Sequence, residues 1–127
     1  LEADTQKEAP IIVNVTPRYR TPSEHTHATW LSMVHDADLK NNGLFVGTLT
    51  EYENFVRTYD CKIKYRPVSD FLDLANVIAG AELVVCNQGF TYSLAIGLGV
   101  ATVLEANKIV PLQMNECFFP RTNTQYF

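Results

Sequence analysis

The chain has 127 residues, 46% of them hydrophobic, and a formal net charge of −4. That is the size of one ordinary domain with its own core. Its acidic balance gives no basic face for a nucleic-acid backbone or for anionic lipid, so neither nucleic acid nor a membrane surface is an expected partner.

Residues 1–9 are a polar leader, too charged for a signal-peptide core. The chain starts on Leu1 rather than Met, which fits an excised domain or a piece of a longer protein. Pro10 ends the leader, and the β-branched run Ile11-Ile12-Val13-Asn14-Val15 predicts a short buried first strand. Two prolines make 16–25 a loop. From 26 to about 36, Trp30, Leu31 and Val34 share one face at helical spacing, until Asn42-Gly43 forces a turn. Leu44-Phe45-Val46-Gly47 reads as the second strand. Thr50, with Glu51 and Glu53 in the first turn, announces a helix that carries Phe55 and Val56 and ends near Tyr59. Lysines alternating with apolar residues make 63–65 a third, edge strand. Ser69 caps the next helix, whose Phe71, Leu72, Leu74, Ala75 and Ile78 face the core before Gly80 stops it. Leu83-Val84-Val85-Cys86 is apolar on both faces and therefore a central strand. Phe90, Leu94 and Leu98 recur at i, i+4 and i+8, so the following helix buries that stripe, and Gly99 suits its C′ position. Ala101-Thr102-Val103-Leu104 is the fifth strand.

Strands alternating with helices at this spacing require a mostly parallel sheet with right-handed crossovers. The fold class is α/β: a single Rossmann-like, doubly wound sheet of about five strands over 10–106, in order 3-2-1-4-5, with helices on both faces. Residues 107–127 are broken by Pro111 and Pro120, yet Phe118, Phe119, Tyr126 and Phe127 are too apolar for a free tail. This extension is expected to pack on the domain or on a missing partner, and its aromatic residues make it a candidate homodimer surface. No apolar stretch is long enough to cross a bilayer. The three cysteines, Cys61, Cys86 and Cys117, are far apart with no CxxC pair, which argues against a disulfide framework or zinc site and points to reduced thiols in the cytoplasm.

In an open parallel sheet, ligands gather at the carboxyl ends of the strands where strand order reverses, and helix N-termini there offer amide donors. With the order 3-2-1-4-5, two loops border one crevice. One is Thr16-Pro17-Arg18-Tyr19-Arg20 after the first strand; the other is Asn87-Gln88-Gly89-Phe90-Thr91-Tyr92 after the fourth. Gly89 lets backbone approach a ligand, the amides of Phe90, Thr91 and Tyr92 can meet an anion, and Arg18 adds charge. Tyr19, Phe90 or Tyr92 offers a ring for a nucleobase, and Glu105 ends the fifth strand facing the same crevice. Each feature also has a structural reading: a strand-to-helix turn wants Gly and a polar cap, Arg18 and Arg20 can pair with surface carboxylates, Tyr92 can be partial core, and Glu105 can equally be an ordinary surface carboxylate. His25 and His27 lack nearby Cys or clustered carboxylates, so no metal cofactor is expected. Cys86 is a buried strand residue with no base partner, and His35 lies on a solvated helix face. GxGxxG, GxxxxGK[ST] and GxSxG are all absent, which disfavours the usual dinucleotide fold, a P-loop and an α/β-hydrolase.

The run "IAGAELVVCNQGFTYSLAIGLGVATVLEA", with "NVTPRYR" upstream and "LFVGTLTEYENF" between, resembles the C-terminal, donor-binding half of GT-B fold glycosyltransferases. Within these it is most similar to the heptosyltransferase-like group of family 9, over about 10–106. The resemblance implies a nucleotide-sugar donor at the carboxyl edge of the sheet, with Thr16 to Arg20 and Asn87 to Tyr92 facing its phosphates and Gly47 and Thr48 near its nucleoside. It also implies a separate or missing acceptor-binding domain, without which the chain transfers no sugar. Where that group shows an acidic residue at the elbow, a His beginning the helix and a Pro after it, this sequence has Asn87-Gln88, Ser93 and Ala101. A diverged, non-catalytic interaction module is the alternative. An epimerase or hydrolase of similar architecture would also need a two-domain cleft.

Overall fold

Residues 10–17, 23–87, 89–105 and 124–127 are described by the structure, a computed structural model. In chain order they form β1 (Ile11–Asn14), α1 (Glu24–Val34), α2 (Ala37–Asn42), β2 (Gly43–Val46), α3 (Leu49–Tyr59), β3 (Lys64–Arg66), α4 (Phe71–Ala79), β4 (Leu83–Asn87), α5 (Phe90–Gly97), β5 (Thr102–Glu105) and β6 (Thr124–Tyr126). The strands make one sheet in the order β3-β2-β1-β4-β5-β6, with every neighbouring pair parallel. The predicted order is present, with a sixth strand added beside β5.

The period of two along each strand sends alternate residues to opposite layers. On one face Ile12, Val46, Val84 and Leu104 meet Ala75, Val77 and Ile78 of α4 and Tyr92, Leu94 and Ala95 of α5. On the other, Val13, Phe45 and Val85 meet Trp30 and Val34 of α1, Leu39 of α2, and Phe55 and Tyr59 of α3. Each such side chain, fully withdrawn from water, contributes on the order of 1.5–3 kcal/mol. An aromatic cluster anchors the second layer: Trp30 meets Phe55 edge-on at 5.5 Å and Phe127 edge-on at 5.5 Å. Phe127 follows β6 and donates its N–H to the Leu104 carbonyl, so the end of the extension packs on this domain. Residues 1–9 and the rest of the extension, including Phe118 and Phe119, lie outside the described residues.

Several local expectations need correction. Ser23 caps α1, two residues earlier than the apolar pattern suggested, and Asp36 re-caps the chain into the short α2, which the pattern missed. Thr48, not Thr50, caps α3, because Thr48 and Glu51 complete a reciprocal capping box. Asp70, not Ser69, caps α4 by accepting from the Asp73 N–H. Phe71, Leu72 and Phe90, expected in the core, are 48%, 57% and 56% exposed, since the first residues of α4 and α5 project past the edge of the sheet. The edge position of β3, the central position of β4 and the left-handed Gly99 (φ 73°) after α5 agree with the sequence reading. Among the described residues, no helix is long and apolar enough to cross a membrane.

Candidate functional site

Strand order reverses between β1 and β4, which pair from Ile11↔Leu83 to Asn14↔Cys86. The loops leaving their carboxyl ends therefore start side by side on one rim. They also touch: the Thr16 N–H donates to Asn87 Oδ1 at 2.9 Å, and Asn87 Nδ2 donates to the Thr16 carbonyl at 2.8 Å. Asn87 is buried, so its carboxamide is spent on this junction rather than displayed to solvent.

Among the described residues no side chain caps α5, whose N-cap is Gly89. The first turn of α5 therefore stands at the rim with the positive end of its helix dipole. Gly89 is in extended backbone, and a Cβ there would sit 3.5 Å from Thr16 Oγ1, an ordinary contact. Its backbone does not demand glycine. Phe90 stands at the rim and packs on Phe71 with ring centroids 5.3 Å apart.

On the other side of β1, the β2–α3 junction is fixed by three side chains. Asn14 Nδ2 donates to the Val46 carbonyl at 2.7 Å, Tyr65 donates its hydroxyl to the Gly47 carbonyl at 2.8 Å, and Glu51 Oε1 accepts the Thr48 N–H at 2.9 Å. Gly47 has a φ of 138°, and a Cβ there would lie 2.6 Å from Glu51 Oε1. Here glycine is required. Between the loop after β1 and α3 runs a cleft of about 270 Å³, walled by Thr16 and Pro17 on one side and by Thr48, Glu51, Asn54 and Thr58 on the other, with no described residue of β4 or α5 in its lining. The β3–α4 turn is held in turn by Arg66, which grips Asp73 with both guanidinium nitrogens at 2.6 and 2.9 Å. Those bonds, aided by the Ser69 N–H, pull the Asp73 carboxyl down to about 2.

The structure thus brings Thr16, Gly47, Thr48, Asn87, Gly89 and Phe90 to one rim. Thr91, Tyr92 and Glu105 are buried, so their side chains are withdrawn from the crevice. Tyr92 packs in the layer of α4 and α5, and Glu105 accepts the Trp30 Nε1–H at 2.9 Å. The expectation that Glu105 faces the crevice failed because an indole donor on α1, across the sheet, claims it. Arg18, Tyr19, Arg20 and Gln88 lie outside the described residues. Sequence reasoning missed Asn14, Tyr65 and the Arg66–Asp73 pair. The one available sign was Asn14 itself, a carboxamide inside a β-branched run. Among the described residues no group of His, Cys, Asp and Glu could hold a metal, and His27 lies against the Tyr59 ring at 5.3 Å.

These features define a Rossmann-like α/β domain whose cleft opens on the β2 side of β1, next to the reversal of strand order. No protein-family profile and no curated protein matches the sequence. Among solved structures, the crystal structure of the glycosyl transferase family 9 protein from Veillonella parvula DSM 2008 is similar, with a TM-score of 0.52 and 17% identity. The match covers 80% of this chain and 30% of that one, so this chain spans less than a third of its neighbour's length. At this identity the likeness is one of fold.

Proposed function

We propose that this domain is the nucleotide-sugar binding half of a GT-B type glycosyltransferase and that transfer requires an acceptor-binding half. The observation that carries the reading is the first turn of α5, which has no side-chain cap among the described residues and starts beside Thr16 at the reversal of strand order. Amides and helix dipole at such a point favour an anion, here the diphosphate of the donor. The chemistry is electrostatic: the same donors stabilise the diphosphate as it gathers charge on leaving the sugar, and Arg18, which the sequence reading assigns to the phosphates and which lies outside the described residues, would add positive charge. Thr48, just after the Gly47 turn, lines the adjoining cleft with Glu51, where the nucleoside hydroxyls find hydroxyl and carboxylate partners. Calorimetry against a panel of nucleoside diphosphates and their sugars tests the reading. Binding that weakens in Arg18→Ala supports it, whereas no heat from any of them, together with no effect of Arg18→Ala, rejects it.

A second reading, a diverged interaction module, is favoured by the exposed apolar group Phe71, Leu72 and Phe90 on the same rim. A concentration-dependent dimer in chromatography, lost in Phe71→Ser, would support it over the first.

A further inference from the structure

The main-chain ladder between β1 and β4 ends at the Asn14↔Cys86 rung. There the chains part, β1 running into Thr16-Pro17 and β4 turning through Gly89 into α5. One further rung is made by a side chain. Asn87 offers Oδ1 to the Thr16 N–H at 2.9 Å and Nδ2 to the Thr16 carbonyl at 2.8 Å, so its carboxamide stands where the next peptide group of a strand would stand. Only a group with a donor and an acceptor side by side can do this. Asn87 is 1% exposed, which makes either bond costly to lose.

We infer that Asn87 is a positioning residue rather than a ligand contact: it ties the loop after β1 to the start of α5, so that the Thr16 hydroxyl and the first-turn amides of α5 are presented as one unit. The identity of the ligand rests on the donor-binding reading, but the tie does not. Thr16 Oγ1 already lies within contact of any side chain placed at Gly89, so the two loops are in register at the rim. Asn14 makes a single bond on the other side of β1, to Val46, and does not span the reversal point. An aspartate at 87 keeps the shape but sets a second oxygen against the Thr16 carbonyl. An alanine removes both partners.

Amide exchange by NMR tests the tie. In the wild type the Thr16 N–H exchanges slowly. In Asn87→Asp and in Asn87→Ala it exchanges about tenfold or more faster, while Ala95 in the body of α5 keeps its protection. Nucleoside diphosphate affinity then falls about tenfold in both variants, as displaced loops no longer present their donors together. A wild-type Thr16 amide that exchanges like an unstructured peptide overturns the tie without any variant, and so does Asn87→Asp with Thr16 still protected. Variants that lose the protection yet bind the nucleotide as tightly as wild type overturn the positioning role. If the wild type binds no nucleoside diphosphate, the donor reading fails, and the exchange comparison alone upholds or overturns the tie.

Discussion

Gly47→Ala probes how tightly the rim is built. The φ of 138° at this residue is one that a side chain rarely adopts, and holding alanine in such a conformation costs about 1–2 kcal/mol. The added Cβ would also lie 2.6 Å from Glu51 Oε1 and 2.8 Å from Asn14 Nδ2. Both atoms are engaged, Glu51 with the Thr48 N–H and Asn14 with the Val46 carbonyl. Moving Glu51 weakens the cap of α3 by about 1 kcal/mol. Moving Asn14, which is buried, strands a donor away from water at about 1–3 kcal/mol. The total, about 3–6 kcal/mol, is a large share of the 5–15 kcal/mol that holds a typical domain. Urea unfolding at constant m measures it directly. A loss below about 1 kcal/mol would show that the β2–α3 junction relaxes freely, and the rigid rim would have to be abandoned.

Phe127→Ala removes an edge-on contact with the single, fully buried tryptophan; it should cost about 1–2 kcal/mol and shift Trp30 emission to the red, and an unchanged spectrum would deny that the extension packs on α1. Asp73 titrates near 2 because Arg66 and the Ser69 N–H bind its charged form. Its folded pKa lies below the unfolded value of about 3.9, so the pair's stabilisation is full above that pH and is lost as the pH falls through about 2. Arg66→Ala should return Asp73 to the ordinary carboxylate range in an NMR titration, and a carboxyl that stays near 2 would remove Arg66 as the cause. Burial pushes the Cys61 thiol up, so alkylation at neutral pH should modify Cys61 only after denaturant is added, and native labelling found by peptide mapping would contradict its packing against the α1–α3 layer.

The sheet was legible because its information is local: β-branched runs of four or five residues, separated by helical patterns, admit few parallel arrangements. Cap residues were legible only to within two positions. Thr48 and Thr50, or Ser69 and Asp70, are chemically equivalent in a list of letters, and the choice depends on which side chain meets the N–H of N3. The exposed Phe71, Leu72 and Phe90 misled a stripe-based reading, because a helix's first turn overhangs the sheet whose middle it covers. The Trp30–Glu105 bond joins residues 75 apart, and no spacing rule reaches that far. β6 was hidden because Thr124-Gln125-Tyr126 carries no apolar run or alternation to mark a strand. At the site, the rim and the meeting of its loops followed from strand order, whereas the division between groups that face solvent and groups that brace the loops did not. That division depends on single hydrogen bonds, such as those that turn the Asn87 carboxamide inward.

The proposed function makes the rim where β1 and β4 part a seat for a diphosphate. The most direct measurement is an amide-resolved NMR titration with a nucleoside diphosphate, run beside the same nucleoside without phosphate. Saturable shifts are expected at Thr16, Gly89, Phe90 and Thr91 with the diphosphate, and none there with the bare nucleoside. Amides of α5 that stay still while the ligand saturates elsewhere, or no saturable shift at millimolar ligand, a weak-affinity limit worth only about 4 kcal/mol, would contradict it.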